Sequence, residues 1–280
     1  MSGTNRDEDK KRCIFCARAG KMTDEHIWGD WTRTYVARTA KKHDFAAIRV
    51  PAPGKPDAPN VRIRAGDPLN SQVRVVCGAC NSGWMGRLQN MAKPFLIPLF
   101  NGSPILIGAE AQTTIALWIA MATMTGEHLS RDPKQITIPH SERDWLMHNQ
   151  TVPGGWRIWI GRYQRRSWPG QWVRATFPIL SSETLPPSIT PDDRLPNTQT
   201  TAFVVGKLFV SVMSGPFPEI TRGWDWRSAP RASSCLQQIW PMLKAPIYWP
   251  LSDMTDADAE SIATAFVRYS DDLASRVGYR

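Results

Sequence analysis

Two pairs of cysteines with C-x-x-C spacing are the residues of this chain most clearly suited to chemistry. The first pair is Cys13 and Cys16, and the second is Cys77 and Cys80. Four thiolates in two such pairs are the ligand set of a tetrahedral structural zinc site, in which each pair directs both sulfurs at one ion. The spacing therefore predicts a structural Zn²⁺ that clamps the chain between the pairs into a fixed loop.

Two other uses of these cysteines compete with the zinc site. A disulfide framework suits secreted chains, but only Cys235 lies outside the set, and the charged residues 1–12 lack the apolar segment of a signal peptide. A redox role for Cys13 and Cys16 alone is the other alternative. Zinc bound by all four thiolates would exclude it.

Side chains suited to hydrolysis lie between the two cysteine pairs and directly after the second. Glu25 and His26 are adjacent, and Asn81 directly follows the last cysteine. A neutral imidazole can take a proton from water near pH 7. Carboxylate and amide oxygens suit a hard ion such as Mg²⁺. These residue types match the needs of phosphodiester hydrolysis, which requires an activated water and stabilisation of charge at the leaving oxygen.

The order of these groups resembles that of the HNH endonucleases with a zinc-bearing ββα-metal (treble-clef) core. The matching words are T-D-E-H-I at 23–27 and C-G-A-C-N-S-G-W-M at 77–85. Phage Holliday-junction resolvases of the endonuclease VII type are similar, with Asn closing the set. The resemblance covers about residues 13–95. It implies that Glu25 and Asn81 hold a catalytic Mg²⁺ or Mn²⁺, that His26 is the general base, and that the zinc only positions these groups.

Several details of this site stay open at the level of sequence. Asp24 is a rival metal ligand, although adjacent side chains on a strand point to opposite faces, so only one carboxylate should reach the ion. Asn81 could be only a helix N-cap, a role that Ser82 could also fill. The family's medial Asn, which orients the base, has Gln72 nearest its place and Asn70 two residues earlier.

Positive charge is concentrated in the part that carries these motifs. The chain has a net charge of +9; residues 1–100 hold 17 Lys and Arg against 9 Asp and Glu, whereas residues 101–280 hold 17 against 16. Such a bias favours a polyanionic partner, here DNA, with a solvated basic face as the alternative. Arg33, Arg38 and Arg87 are predicted phosphate contacts.

Periodicity and turn signals predict an α+β fold. We expect a flexible arm over residues 1–12, a zinc-bound ββα-metal domain over 13–100 and an α+β accessory domain over 101–280 that selects the target. In the first domain, strands are predicted at 21–25, 61–64 and 72–76, and helices at 30–42 and 81–91.

The second part carries no catalytic motif. It is predicted to contain an apolar helix at 109–124, strands at 156–163 and 171–177, a hairpin over 201–213 turning at Gly206, a loop at 181–200 and a closing helix at 255–277. Most of the 13 tryptophans fall there and are expected to be core residues. The alternative is a base-stacking surface with nearby arginines, namely Arg157, Arg162, Arg165 and Arg166.

Together these patterns predict a metal-dependent HNH-type DNA endonuclease, in phage defence, restriction or a mobile element. The alternative is a non-catalytic zinc module that binds nucleic acid. No apolar run reaches the roughly 18 residues that a membrane span needs, so we expect a soluble cytoplasmic protein. The oligomeric state is open, with a homodimer as one option.

Overall fold

The computed structural model describes residues 11–37, 42–51, 55–130, 132–164, 172–179, 196–218 and 231–269, together with residues 221, 224 and 229. Several predictions therefore fall outside the described residues: nearly all of the arm, the positions of Arg38, Arg165 and Arg166, most of the 181–200 loop, and the end of the closing helix.

The described residues form a mixed α+β fold. The strands, in chain order, are β1 (Met22–His26), β2 (Lys42–Arg49), β3 (Asn60–Ala65), β4 (Gln72–Cys77), β5 (Ile105–Ile107), β6 (Trp156–Tyr163), β7 (Trp172–Phe177), β8 (Thr198–Val205), β9 (Leu208–Ser214), β10 (Leu236–Trp240), β11 (Ile247–Trp249) and β12 (Asp253–Met254). The α-helices are α1 (Thr32–Tyr35), α2 (Gly78–Cys80), α3 (Gly86–Asn101), α4 (Ala109–Gly126), α5 (His140–Asn149), α6 (Ala232–Cys235) and α7 (Asp256–Ala263).

A small sheet and the helix after it hold the predicted site. Strands β1 and β4 pair antiparallel, and α2 begins directly after β4. A π-type segment, Asn81–Met85, with a kink at Gly83 joins α2 to α3. Pro94 and Pro98 lie inside α3, which continues past them because Leu96, Leu99 and Phe100 remain buried.

Two local predictions in this region are wrong. Among the described residues of 30–42, the expected helix is limited to α1, because Val36 adopts an extended conformation and packs into the core; Lys42 begins β2 instead. The predicted N-cap at Asn81 or Ser82 is also wrong, because the helix already starts at Gly78, with Cys77 in the capping position. The residues of the second C-x-x-C pair, Gly78–Cys80, therefore form the first helical turn.

A large sheet joins both parts of the chain. Its strand order is β10-β6-β9-β8-β7-β2-β3, and β12 pairs with β6. Strand β2 runs parallel to β7, so a segment from between the two cysteine pairs completes a sheet built mainly from residues after 150. The division at residue 100 stays a prediction. The hairpin from β8 to β9 turns as expected at Gly206, which has a positive φ of 61°.

Helix α4 connects the two sheets through a shared core. Almost all of its residues are buried, and one apolar cluster includes Val76 of β4, Trp118 of α4 and Val210 of β9. Trp156 and Trp172 are core residues rather than a stacking surface. In the described part of the chain, no helix combines the length and apolar character needed to cross a membrane.

Candidate metal centre and active site

The four predicted cysteines converge at one point. Their sulfur atoms all lie within 4.8 Å of one another, and Sγ of Cys16 is 3.7 Å from Sγ of Cys77. Tetrahedral zinc with Zn–S bonds of about 2.3 Å requires sulfurs about 3.8 Å apart, so the arrangement fits that ion. All five cysteines are free, including Cys235, so the disulfide alternative has no support here.

The surrounding backbone fixes this arrangement before any ion is considered. In the first turn, the amide of Ala17 donates to the carbonyl of Cys13 (3.0 Å), and Ala17 has a positive φ of 55°. The amide of Ile14 donates to the carbonyl of Val75 (3.0 Å), which ties the knuckle to β4. Phe15 is buried and meets the ring of Trp84 edge to face, at 4.9 Å between centroids. Local turns and core packing therefore hold both cysteine pairs together.

The two adjacent carboxylates of β1 have opposite environments. Asp24 is exposed and accepts two hydrogen bonds from Arg74, which lower its pKa. Glu25 is only 4% exposed, and burial raises its pKa to about 7. No described residue donates a hydrogen bond to its carboxylate or pairs with it. The strand thus directs Asp24 to solvent and leaves Glu25 buried without a counter-charge.

His26 is held by a set of polar neighbours at the end of β1. Nε2 of Gln72 lies 2.8 Å from Nε2 of His26, and Oδ1 of Asp30 lies 3.4 Å from the same nitrogen. Arg33 pairs with Asp30 and donates to Oδ1 of Asn70 (3.0 Å). Partial burial first, and the charge of Arg33 second, lower the pKa of His26. The imidazole is therefore neutral at physiological pH and able to accept a proton.

The side chain of Asn81 faces the β1–β4 strand pair. Its Nδ2 donates to Oγ1 of Thr23 (3.1 Å), which in turn donates to the carbonyl of Val76. Thr23 and Glu25 are two residues apart on β1, so their side chains share a face. Asn81 therefore lies over the same face as Glu25, and its Oδ1 has no donor among the described residues.

Sequence reasoning missed part of this set. Gln72, identified only as the nearest match to the medial Asn, contacts His26 directly, whereas Asn70 contacts Arg33 and not the imidazole. Asp30 and Thr23 were not selected, although both fall within five residues of the Glu25–His26 pair. Of the predicted phosphate contacts, Arg33 is in the His26 network, Arg87 is exposed on α3, and Arg38 falls outside the described residues.

Comparison with known proteins finds no match: no family model, no curated protein and no solved structure resembles this chain detectably. The structure accordingly supports a mixed α+β chain with a four-cysteine cluster compatible with zinc. Any assignment of activity rests on the residues and geometry above.

Proposed function

We propose that this protein is a metal-dependent DNA endonuclease of the HNH type, with a structural zinc and a ββα-metal core. The order of elements supports the proposal: the first cysteine pair precedes β1, and β4, which pairs antiparallel with β1, leads into the helical segment that begins at the second cysteine pair. Glu25 and His26 end β1, and Asn81 directly follows the last cysteine. These positions are consistent with the order of the family motif.

The unpaired carboxylate of Glu25 is the observation that carries the proposal. A buried carboxylate without donors is costly, and proteins usually pair such groups or bind a cation to them. The unengaged Oδ1 of Asn81 on the same face adds a second oxygen ligand. Mg²⁺ or Mn²⁺ accepts a small number of protein oxygens and keeps several waters. Glu25 and Asn81 would hold this ion, which would supply Lewis-acid stabilisation of charge at the phosphate.

The remaining residues would act on the water and the substrate. His26, neutral because its pKa is lowered, would take the proton of the attacking water. Asp30 would accept a hydrogen bond from Nε2–H of the imidazole, which leaves Nδ1 as the basic nitrogen, and Gln72 would help to hold the ring in place. Arg33, whose guanidinium is nearly half exposed, would lie close enough to His26 to bind the phosphate that the water attacks.

Plasmid cleavage tests the proposed activity. We expect the wild type to nick or linearise supercoiled DNA with Mg²⁺ or Mn²⁺ but not with EDTA, and His26→Ala to lose at least about 100-fold in rate, as expected when a general base is removed. His140→Ala, at an exposed histidine of α5, is the matched control and should cleave normally. Equal cleavage by His26→Ala and wild type would refute the assignment of the base.

Metal analysis tests the zinc separately. We expect one Zn²⁺ per chain in the wild type and none in Cys80→Ser, because three thiolates bind much more weakly than four. Cys235→Ser removes a buried cysteine outside the cluster and should keep its zinc. Retention of stoichiometric zinc by Cys80→Ser would show that the four-cysteine assignment is incorrect.

A non-catalytic zinc module that binds nucleic acid is the second candidate. It is favoured by the very low exposure of Glu25 and by the contacts that already occupy Nε2 of His26. In that case the wild type and His26→Ala would both shift DNA in a gel without cutting it. DNA binding without cleavage, with either Mg²⁺ or Mn²⁺ present, would therefore favour the non-catalytic zinc module over the endonuclease.

A further inference from the structure

A groove beside the cysteine cluster lies outside the proposed catalytic site. It has a volume of about 330 Å³. The first knuckle, the α2–α3 helix and α5 form its walls, and its lining includes Arg18, Cys80, Trp84, Arg87, Met147 and His148. Neither Glu25 nor Asn81 contributes to it.

The groove and the proposed active site use different residues of the kinked helical segment that follows the second cysteine pair. Asn81 contacts Thr23 on β1, whereas Cys80, Trp84 and Arg87 line the groove. Asn81 therefore faces the β1–β4 strand pair, and Arg87 faces the groove.

Unpaired positive charge marks the groove as a site for an anion. Arg18 and Arg87 are both exposed, and neither makes an ion pair or side-chain hydrogen bond with a described residue. The segment from residue 68 to residue 109 contains no Asp or Glu. Two sources of negative charge lie nearby: Asp144 on α5, whose Oδ1 is 3.1 Å from Nδ1 of His148, and the proposed zinc thiolates, of which Cys16 and Cys80 line the groove.

We propose that this groove binds the phosphodiester backbone of the nucleic acid, at phosphates that flank the one bound near His26. The inference takes its ligand class from the proposed function. Guanidinium groups suit phosphate oxygens because they donate in a planar fork. Asn81 directly follows the groove residue Cys80 in the chain, and a duplex strand carries one phosphate per 3.4 Å of its axis. The groove and the proposed active site would thus contact phosphates a few nucleotides apart.

The salt dependence of binding to a duplex of about 20 base pairs tests the groove. We expect Arg18→Gln combined with Arg87→Gln to reduce the slope of log Kd against log salt by about 1–2, because each lost phosphate contact removes about 0.9. Lys134→Gln combined with Lys244→Gln removes the same charge from exposed sites outside the groove, and it should leave the slope nearly unchanged. Zinc content equal to that of the wild type would show that each variant is folded.

The outcomes separate this inference from the proposed activity. An unchanged slope in the arginine variant would overturn the groove assignment, even if the protein cleaves DNA. A reduced slope in a protein that never cleaves DNA would support the groove and reject the endonuclease. Polyglutamate that competes as well as DNA of equal charge would overturn the assignment to phosphodiesters, as would a wild type that does not bind the duplex.

Discussion

Two buried glutamates, one in each region of the molecule, have opposite environments. Glu127, beside the large sheet, accepts hydrogen bonds from Arg174 (2.6 Å) and from the amide of Thr137 (3.1 Å), and it also pairs with Arg143. Glu25, in the small sheet, has no such partner among the described residues. Both side chains are almost fully buried. The difference is that the chain pairs Glu127 internally and leaves Glu25 without a partner among the described residues.

Removing the charge of Glu127 should have the larger effect on stability. Glu127→Gln leaves Arg143 and Arg174 buried without a counter-charge, which costs about 3–5 kcal/mol of unfolding free energy. We expect a clearly lower urea midpoint. The control is Glu110→Gln, at an exposed glutamate in the first turn of α4, where the loss should stay below about 0.5–1 kcal/mol. A comparable loss in both variants would show that the buried network does not stabilise the fold.

The same substitution at Glu25 should raise the free energy of unfolding rather than lower it. In buffer without added Mg²⁺ or Mn²⁺, Glu25→Gln replaces an unpaired buried carboxylate by a neutral amide, so unfolding free energy should rise by about 1 kcal/mol. Asp24→Asn is the control, because it breaks an exposed pair with Arg74 that is screened by solvent, and it should leave the midpoint nearly unchanged. The measurement is the urea midpoint of each variant.

A destabilising Glu25→Gln would contradict the comparison. A loss of the size expected for Glu127→Gln would mean that Glu25 is a structural carboxylate, paired within the protein. If the gain is found, a second readout strengthens the argument: Mg²⁺ or Mn²⁺ should raise the midpoint of the wild type more than that of the variant.

Local patterns predicted the small sheet better than its surroundings. The alternation in 72–76 predicted β4, and the start of the closing helix was expected at 255; both are confirmed, the latter by a capping box between Thr255 and Asp258. The pairing of β2 with β7 could not be predicted from local patterns, because its backbone hydrogen bonds join segments more than 100 residues apart in the chain. The Glu127–Arg174 pair was missed for the same reason, since its partners lie 47 residues apart.

The residues of the candidate site show the same contrast: local patterns selected them, but their environment depends on contacts between distant segments. The motif selected Glu25, His26 and Asn81, but sequence periodicity could not reveal that Glu25 is buried without a partner. That property depends on how β1 and β4 pair, with a bulge between Thr23 and Glu25 in the register. Local rules also assigned Asn81 to capping, and the rule failed because the preceding cysteine turn had already started the helix.

His128 provides a third test, and it directly follows the paired Glu127 in the chain. Its Nε2 is buried without a hydrogen-bond partner among the described residues. Burial first, and the charge of Arg174 second, lower its pKa to about 4 from an ordinary value of 6.5. The unfolded chain therefore binds a proton that the folded chain excludes. The contribution of neutral His128 to the free energy of unfolding is fully present above pH 6.5 and is lost as the pH falls toward 4.

The variant His128→Gln should remove this contribution. Between pH 7 and pH 5 we expect it to lose about 1–2 kcal/mol less unfolding free energy than the wild type, whereas exposed His140→Gln should follow the wild type. Equal acid sensitivity of His128→Gln and wild type would show that Nε2 exchanges with solvent. The expected result would show that an unpaired buried group can be tolerated at a measurable cost without any ligand. Glu25 would then need its response to divalent ions, beyond its burial, to qualify as a metal ligand.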